Sequence, residues 1–200
     1  MLSTTEIRWF FEEALPEEMQ EWFEHFSPED LPPRTDYYLN MEESAGVGIK
    51  LREGNIQIKP IKAERGARQF LENVEGNVSQ YEKWSFPVTS NEEWPEMIRK
   101  PDVWIPAIKI RKLLRFTLGG GYPNKIGMEE LVDEGCEVEL SKVEVVDRTF
   151  WSLAFEAHGS TAQANLEKTV DEIFRNKACP IRLVKEKSFG YTHLIRDIQV

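Results

Sequence analysis

Hydrophobic and polar residues alternate one by one through the stretch 47-VGIKLREGNIQIKP-60. Lys50 and Arg52 face one way and the aliphatic residues between them the other, which is the period of a β-strand with two unlike faces. A second alternating run follows, joined to the first through Glu53-Gly54-Asn55, so the stretch predicts a β-hairpin with a short turn. A polar face of this kind is compatible with simple exposure to water, because antiparallel sheets often have one solvated face.

Six further segments have the period or the composition of strands. They are residues 6–11, 36–40, 78–86, 103–116, 137–146 and 150–158. Together with the hairpin they make up to eight strands in mostly antiparallel order, and no linker or change of composition divides the 200 residues. We therefore expect a single domain, residues 1–200, of the α+β class. Its predicted architecture is a mainly antiparallel, eight-stranded, tunnel-like barrel with flanking helices.

Helices and connections account for the rest of the chain. Apolar residues at helical spacing predict one helix after Pro16 and another over residues 161–176. A short helix is expected over residues 91–100, where Ser90 or Asn91 is a suitable cap, and another pattern of this kind ends the chain at 188–198. Two segments are expected to connect elements without being strands: the proline-rich residues 27–35 and the charged residues 62–77.

The composition excludes several classes of protein and partner. A hydrophobic content of 40% with six tryptophans is enough for a packed core. The net charge of −10 argues against general binding of nucleic acids or anionic membranes. No apolar run approaches the roughly 20 residues of a membrane span, and the two cysteines fit no metal-binding spacing. We expect a cytoplasmic protein whose partner is a small molecule.

The basic residues of three predicted strands run against the overall charge. In an acidic protein the solvated strand faces should be mainly acidic, yet the polar faces of residues 47–52, 55–59 and 107–115 are basic. If the hydrophobic faces pack outward under helices, the basic faces line a tunnel. Cations that converge there repel one another without a counter-ion, so a polyanionic ligand is expected. The cations concerned are Lys50, Arg52, Lys59, Lys109 and Arg111, joined by Arg8 and Arg115.

The order of these motifs resembles that of the CYTH domains, or triphosphate tunnel metalloenzymes. That family opens with a strand of the pattern Glu-x-Glu-x-Lys, where this chain has 6-EIRWF-10, and its later Lys-x-Arg strand is matched by 109-KIR-111. The resemblance covers nearly the whole chain. The other matching positions are Asp36-Tyr37-Tyr38, Lys50-Leu51-Arg52, Lys59, Glu82, Glu156 and Ser188-Phe189-Gly190-Tyr191.

The resemblance implies a tunnel that binds a triphosphate, another polyphosphate or a nucleotide. Members of the family include thiamine, inorganic and RNA triphosphatases and class IV adenylate cyclases. Carried over residue by residue, the expected metal ligands for Mg²⁺ or Mn²⁺ are Glu6, Glu82 and Glu156, with charge balance for the tunnel cations as the alternative role. The expected phosphate-binding residues are Arg8, Lys50, Arg52, Lys59, Lys109 and Arg111.

The departures from the family pattern are as informative as the matches. Arg8 stands where the family has a metal-binding glutamate, and it could replace the metal ion by contacting phosphate directly. At the fifth strand Glu82 is expected to face inward with Gln80 and Trp84. The first hypothesis is therefore a polyphosphate-binding protein with a degenerate metal site. The alternatives are a divalent-cation-dependent triphosphatase and a non-catalytic interaction or structural protein whose barrel is filled by its own side chains.

Overall fold

The computed structural model describes residues 2–41, 46–88, 98, 100 and 103–198 of the chain, which form nine strands and three α-helices. The strands are β1 (Leu2–Phe11), β2 (Glu29–Leu39), β3 (Val47–Arg52), β4 (Asn55–Leu71), β5 (Val74–Pro87), β6 (Trp104–Thr117), β7 (Asn124–Ile126), β8 (Gly135–Val145) and β9 (Arg148–His158). The helices are α1 (Glu17–Glu24), α2 (Ala162–Asn176) and α3 (Tyr191–Ile198), and a 3₁₀ turn spans Lys185–Lys187.

Eight of the strands close into an antiparallel barrel. They pair in the order β2-β3-β4-β5-β1-β9-β8-β6, and β6 pairs with β2 to complete the ring. The short strand β7 adds to one end of β6 outside this ring. Closure leaves the ring without a free edge, so the backbone N–H and C=O groups that could pair with another chain are paired within the barrel. The predicted fold class, an eight-stranded antiparallel barrel with flanking helices, is confirmed.

The β-hairpin predicted for residues 47–60 is present. Glu53 and Gly54 join β3 to β4, and both have positive φ angles, 47° and 74°. A two-residue turn of this kind matches the right-handed twist of the flanking strands, and a glycine adopts it without steric cost. The resulting register pairs Lys50 with Gln57. The polar residues of the two strands therefore share one face, the inner one.

The prediction that residues 27–35 form a connection is wrong, because most of them belong to β2. The prolines do not prevent this, because the register with β6 shifts between Leu31 and Arg34, at the position of the two prolines. Prolines are tolerated at such irregularities, where no ladder hydrogen bond depends on their missing N–H.

The charged segment 62–77 is also strand rather than connection. β4 continues to Leu71 and β5 begins at Val74, so the two strands form one long hairpin. Their pairing contains three register irregularities, and much of this part of β4 is exposed. Irregular pairing and exposure remove the alternation that reveals a strand in sequence. The helix predicted over residues 91–100 falls almost entirely outside the described residues.

The main hydrophobic core lies outside the barrel wall, under the helices. The outward side chains of β1, β8 and β9 pack there against α1 and α2, with Trp9, Trp151 and Phe155 fully or almost fully buried. Trp22 of α1 stacks on Phe174 of α2 with ring centroids 5.6 Å apart. Because apolar residues of these strands face the helices, the alternating polar residues must face the barrel interior.

A second cluster of buried residues closes one end of the barrel. It combines Phe10, Tyr38 and Val143 with Leu194 and Ile195 of α3. The segment before α3 is tied to β1, because the backbone N–H of Phe189 donates to the carbonyl of Arg8 at 3.1 Å. The charged interior therefore ends on an aromatic and aliphatic plug at this end. None of the helices in the described part of the chain has the length and apolar character needed to cross a bilayer.

Candidate functional site

The barrel interior contains a cavity of about 550 Å³ lined mainly by charged side chains. This volume is within the range of small-molecule binding sites. Five carboxylates line it in the described part of the chain, and Asp36 lies behind them, so cations exceed carboxylates by three. The nine lining cations among the described residues are Arg8, Arg34, Lys50, Arg52, Lys59, Lys83, Lys109, Arg111 and Arg115.

The strongest concentration of positive charge surrounds Asp36, which is completely buried. Its carboxylate lies 3.3 Å from Arg34, 3.0 Å from Lys50, 2.8 Å from Arg52 and 2.9 Å from Lys109. In the part of the chain that the structure describes, these four cations have no other carboxylate within 4.0 Å. Strands β2, β3 and β6 carry the five residues, which we call the basic wall. The basic wall has an excess of three positive charges.

The shifted pKa values of the basic wall reflect this imbalance. Burial alone would raise the pKa of Asp36, but Lys109, Lys50 and Arg52 outweigh it and hold that pKa well below its usual range. Burial lowers the pKa of Lys109 to about 7 despite Asp36. Burial and the neighbouring Arg52 hold the pKa of Lys50 well below its ordinary value. The four cations together stabilise the ionised form of Asp36, whereas each lysine shares that one carboxylate with three other cations. A further anion would relieve the strain on both lysines.

Aromatic rings hold the Lys109 ammonium in place at the deep end of the basic wall. Its Nζ donates to the Tyr38 hydroxyl at 2.9 Å and lies 3.4 Å from the centroid of the Tyr191 ring. The two tyrosine rings stack on each other with centroids 5.3 Å apart. The lysine is only 2% exposed. Cation–π contacts of this kind partly compensate an ammonium for lost hydration, and together with the hydrogen bond to Tyr38 they hold Nζ in position.

On the other side of the cavity, Arg8 and Lys59 are paired with carboxylates. Arg8 donates to Glu6 at 2.9 Å and to Glu139 at 3.1 Å. Lys59 donates to Glu6 at 2.6 Å and to Glu156 at 3.2 Å. Each of the two cations here is therefore paired with two carboxylates, and the five groups together carry one excess negative charge. Arg8 faces the interior, as its position in the sequence predicts, but its guanidinium is held by carboxylates.

The pKa values of Glu6 and Lys59 on this side of the cavity shift in the directions that favour the charged forms. Burial would raise the pKa of Glu6, but Lys59 and Arg8 outweigh it and lower that pKa to about 2. Burial would lower the pKa of Lys59, but Glu156 and Glu6 raise it above its ordinary value. These charges are satisfied without a ligand, in contrast to those of the basic wall.

Carboxylates follow one another across three neighbouring strands, β1, β9 and β8. The strand register places Glu6 opposite Glu156 and Glu156 opposite Glu137. Like charges directly opposite each other destabilise a sheet, and burial together with Glu156 raises the pKa of Glu137. We call these three residues the acidic row. Within the described residues, no group of three or more His, Cys, Asp or Glu side chains is arranged to hold a metal ion.

Eight of the nine site residues predicted from sequence meet in the cavity. The exception is Glu82, because the inward register predicted for it is wrong. β5 turns Tyr81 and Lys83 into the cavity, and Glu82 lies on the outer face, 2.7 Å from Lys62. The eight residues in the cavity are Glu6, Arg8, Lys50, Arg52, Lys59, Lys109, Arg111 and Glu156.

Several residues that were not predicted from the sequence also line the cavity. Arg34 was hidden in the segment predicted as a proline-rich connection, and Lys83 by the one-residue error in register. The position of Arg34 two residues before Asp36 was the available indication, since residues two apart on a strand share a face. Asp36 itself was expected only as part of the matching segment Asp36-Tyr37-Tyr38 and was not among the predicted site residues. Glu137 and Glu139 of β8 also line the cavity and were not among the predicted site residues.

Comparison with known proteins gives the fold but no function. No family model matches the chain, and no match is found among curated proteins. The PH1012 protein from Pyrococcus horikoshii OT3 is similar in structure, with a TM-score of 0.51 and 15% sequence identity over 94% of this chain and 98% of that one. A conserved hypothetical protein from Pyrococcus furiosus has a TM-score of 0.48 and 15% identity over 96% of this chain and 99% of that one. At such identity the first likeness shows a shared fold alone.

Acid should destabilise the protein through Glu6. Its pKa is about 2 in the folded protein against an ordinary 4.5, so its stabilising effect is complete above pH 4.5 and is lost as the pH falls through 2. The loss should amount to about 3 kcal/mol. We expect the free energy of unfolding of Glu6→Gln, measured by urea titration between pH 6 and 3, to start lower and to decline less steeply than that of the natural protein.

The matched control is Glu172→Gln, which changes an exposed carboxylate of α2. This variant should show the same decline with acid as the natural protein. If Glu6→Gln also declines with the natural slope, the ion pairs of Glu6 with Arg8 and Lys59 do not contribute as the structure indicates.

Proposed function

We propose that this protein is a CYTH-like tunnel protein that binds a triphosphate or another polyphosphate in its cavity without requiring a metal ion. The observation that carries the proposal is the basic wall, where, among the residues that the structure describes, one carboxylate, that of Asp36, offsets four cations at 2.8 to 3.3 Å. Uncompensated buried charge is costly, and a polyanion is the ligand that would remove the cost. The chain-long resemblance to the CYTH domains points to the same chemical class of ligand.

Unpaired donors at the cavity support an anionic ligand. The Nε atoms of Arg34 and Arg111 are buried and make no hydrogen bond in the described part of the chain, although Arg34 Nε lies 3.3 Å from the Asp36 carboxylate. Arg111 lies 3.9 Å from its nearest carboxylate, that of Glu139. Guanidinium groups donate paired hydrogen bonds to phosphate oxygens, and a phosphate between these two arginines would satisfy both.

The enclosed position of the charges favours a small molecule over a macromolecule. The basic residues line an interior cavity of about 550 Å³, whereas the whole protein has a net charge of −10. A nucleic acid duplex or an anionic membrane would meet the acidic exterior and could not reach the basic wall. A free polyphosphate or a nucleotide is the partner that fits this arrangement.

Arg8 supports binding through a degenerate metal site. It stands where the CYTH pattern has a metal-binding glutamate, and its guanidinium lies 2.9 Å from Glu6 and 3.1 Å from Glu139. It therefore neutralises carboxylates that would otherwise attract a cation. Its fixed charge also repels a metal ion from the same position.

A divalent-cation-dependent triphosphatase is the second candidate, and the acidic row favours it. Glu6 and Glu156, with Glu137 beside them, line the same cavity as the basic wall. If Mg²⁺ or Mn²⁺ displaced Lys59 from Glu6 and Glu156, it would help to orient the phosphates and stabilise the charge that develops as water attacks. The third hypothesis, a barrel filled by its own side chains, has little support from a structure with a cavity of this size.

Arg111→Ala should weaken polyphosphate binding without weakening the fold. Within the described part of the chain the carboxylate nearest to Arg111 is 3.9 Å away, and burial and Arg34 lower its pKa, so its removal relieves repulsion in the free protein. Loss of a charged hydrogen bond to phosphate should cost roughly 1.5–3 kcal/mol of binding free energy. We expect calorimetric titration with tripolyphosphate in excess chelator to show this loss, and thermal unfolding to show an unchanged or higher midpoint.

Lys142→Ala is the matched control, because Lys142 lies on the outer face of β8 and pairs with Glu144 at 2.7 Å. It removes the same unit of charge without touching the cavity, so tripolyphosphate affinity should stay within about a factor of two. Equal affinities for Arg111→Ala and Lys142→Ala would mean that the cavity is not the phosphate site.

Arg8→Glu should make tripolyphosphate binding in the cavity depend on a divalent metal ion. The change places a fourth carboxylate beside Glu6, Glu139 and Glu156, which repel one another unless a cation binds between them. We expect the thermal midpoint of this variant to fall in chelator and to rise again with Mn²⁺ or Mg²⁺, and its tripolyphosphate binding to require the metal. Tripolyphosphate binding by the natural protein only in the presence of metal would instead favour the triphosphatase.

A further inference from the structure

The basic wall contains two chemically different kinds of cation. Its arginines, Arg34 and Arg52, stay protonated at any pH at which the protein is folded, because a guanidinium is a very weak acid. Its lysines, Lys50 and Lys109, can release a proton, and a buried ammonium does so readily when its charge is poorly compensated. Near neutral pH the charge of the basic wall can therefore change only through the two lysines.

The surroundings of Lys109 favour the loss of its proton in the ligand-free protein. Its Nζ lies 2.9 Å from the Asp36 carboxylate, but two other cations lie within 3.0 Å of the same carboxylate. Nζ otherwise contacts the Tyr38 hydroxyl and the Tyr191 ring. The side chain is only 2% exposed, so water does little to compensate the charge. A neutral amine can still donate to Tyr38 and no longer repels its neighbours.

The titratable groups that face Lys109 from β2, β8 and α3 keep one charge state between pH 6 and 9. The surrounding cations hold the pKa of Asp36 well below its usual range. Cations also outweigh burial at Glu139 and lower its pKa, so both carboxylates stay ionised. Burial raises the pKa of Tyr38 and of Tyr191, so both hydroxyls stay neutral.

The charged groups around the two lysines come from five strands. Burial lowers the pKa of Lys109 to about 7 and, together with Arg52, holds the pKa of Lys50 well below its ordinary value. The lysines are thus the groups in this set that change charge near neutral pH. Besides Lys50 and Lys109, the set consists of Arg34 and Asp36 on β2, Arg52 on β3, Arg111 on β6, Glu139 on β8 and Arg8 on β1, whose guanidinium lies 4.9 Å from the Tyr191 ring.

We infer that the binding of a polyphosphate is coupled to proton uptake by the lysines of the basic wall, chiefly Lys109. The inference rests on the proposed function and adds how pH regulates that site. The free protein lowers the repulsion within the basic wall by releasing a proton to the solvent. A bound polyanion supplies negative charge, so the ammonium form is favoured again and a proton returns from the solvent.

The sign of the pH dependence follows from this exchange. The pKa of Lys109 is higher in the complex than in the free protein, so the complex holds more protons. Affinity is therefore complete below the pKa of the free protein, falls as the pH rises through it, and levels off above the pKa of the complex. The site should bind a polyphosphate tightly in weak acid and release it in weak base.

Calorimetric titration with tripolyphosphate in excess chelator, from pH 6 to 8.5 at constant ionic strength, tests this coupling. We expect the affinity of the natural protein to fall about tenfold over this range. Tripolyphosphate itself loses protons and becomes more negative as the pH rises, so the ligand's own titration would raise the affinity. A fall must therefore come from the protein.

Arginine substitutions identify the lysine that takes up the proton. Lys109→Arg keeps a positive charge that does not titrate, so most of the fall should disappear, and in the double variant with Lys50→Arg the affinity should stay constant or rise with pH. Lys59→Arg is the matched control, because Lys59 pairs with Glu6 and Glu156, which raise its pKa despite burial. This variant should keep the tenfold fall.

A measurement on the natural protein covers the case in which an arginine does not fit at position 109. The Cε resonances of the lysines, followed by NMR from pH 6 to 9, report each ammonium directly. We expect Lys109 to lose its proton near neutral pH in the free protein and at least about one pH unit higher with tripolyphosphate bound. An ammonium that persists to pH 9 without ligand would overturn the coupling.

The outcomes separate this inference from the proposed function. An affinity of the natural protein that does not fall with pH, or a fall that persists in the double arginine variant, overturns proton coupling and leaves phosphate binding standing. If millimolar tripolyphosphate does not bind at any pH in the range, the proposed function fails and the inference fails with it. A fall in the natural protein and in Lys59→Arg, but not in Lys109→Arg, supports both.

Discussion

One buried carboxylate, Asp36, holds together the side of the barrel where the ring of strands closes. It lies on β2, between β3 and β6, and binds cations from all three strands. Removal of one partner from a buried ion cluster typically costs about 3–5 kcal/mol, so this part of the barrel depends on it. Among the described residues the same arrangement leaves positive charge in excess, because four cations share one carboxylate. The ion pairs of Asp36 that stabilise the closure of the barrel therefore also leave an excess of positive charge, which a bound anion would offset.

The two sides of the cavity differ in how their charges are balanced. On the side of β1 and β9, Arg8 and Lys59 neutralise Glu6 and Glu156, and the pKa values of Glu6 and Lys59 shift toward the charged forms. On the basic wall the pKa of Lys109 falls to about 7 through burial. An anion gains most where the cations lack partners, so the basic wall is the side on which phosphates should lie.

The parts of this site that the sequence predicts are those with strict alternation. The segments around Lys50, Lys109 and Arg8 pair a polar face with an apolar one, so their inward direction follows from the pattern. Glu82 was misplaced because its strand carries polar and aromatic residues on both faces, and a one-residue slip exchanges the faces. Arg34 was missed because prolines obscured its strand. The central position of Asp36 depends on strands distant in sequence, and no local pattern contains that pairing.

We propose that the cavity binds a polyphosphate on the basic wall without a metal ion. The most direct test is the thermal unfolding midpoint of the natural protein with tripolyphosphate in excess chelator, compared with sulfate at the same ionic strength. A ligand that binds only the folded state raises this midpoint as its concentration exceeds the dissociation constant. We expect a clear rise of the midpoint with tripolyphosphate and little or none with sulfate. An unchanged midpoint at millimolar tripolyphosphate, or equal rises with both anions, would contradict it.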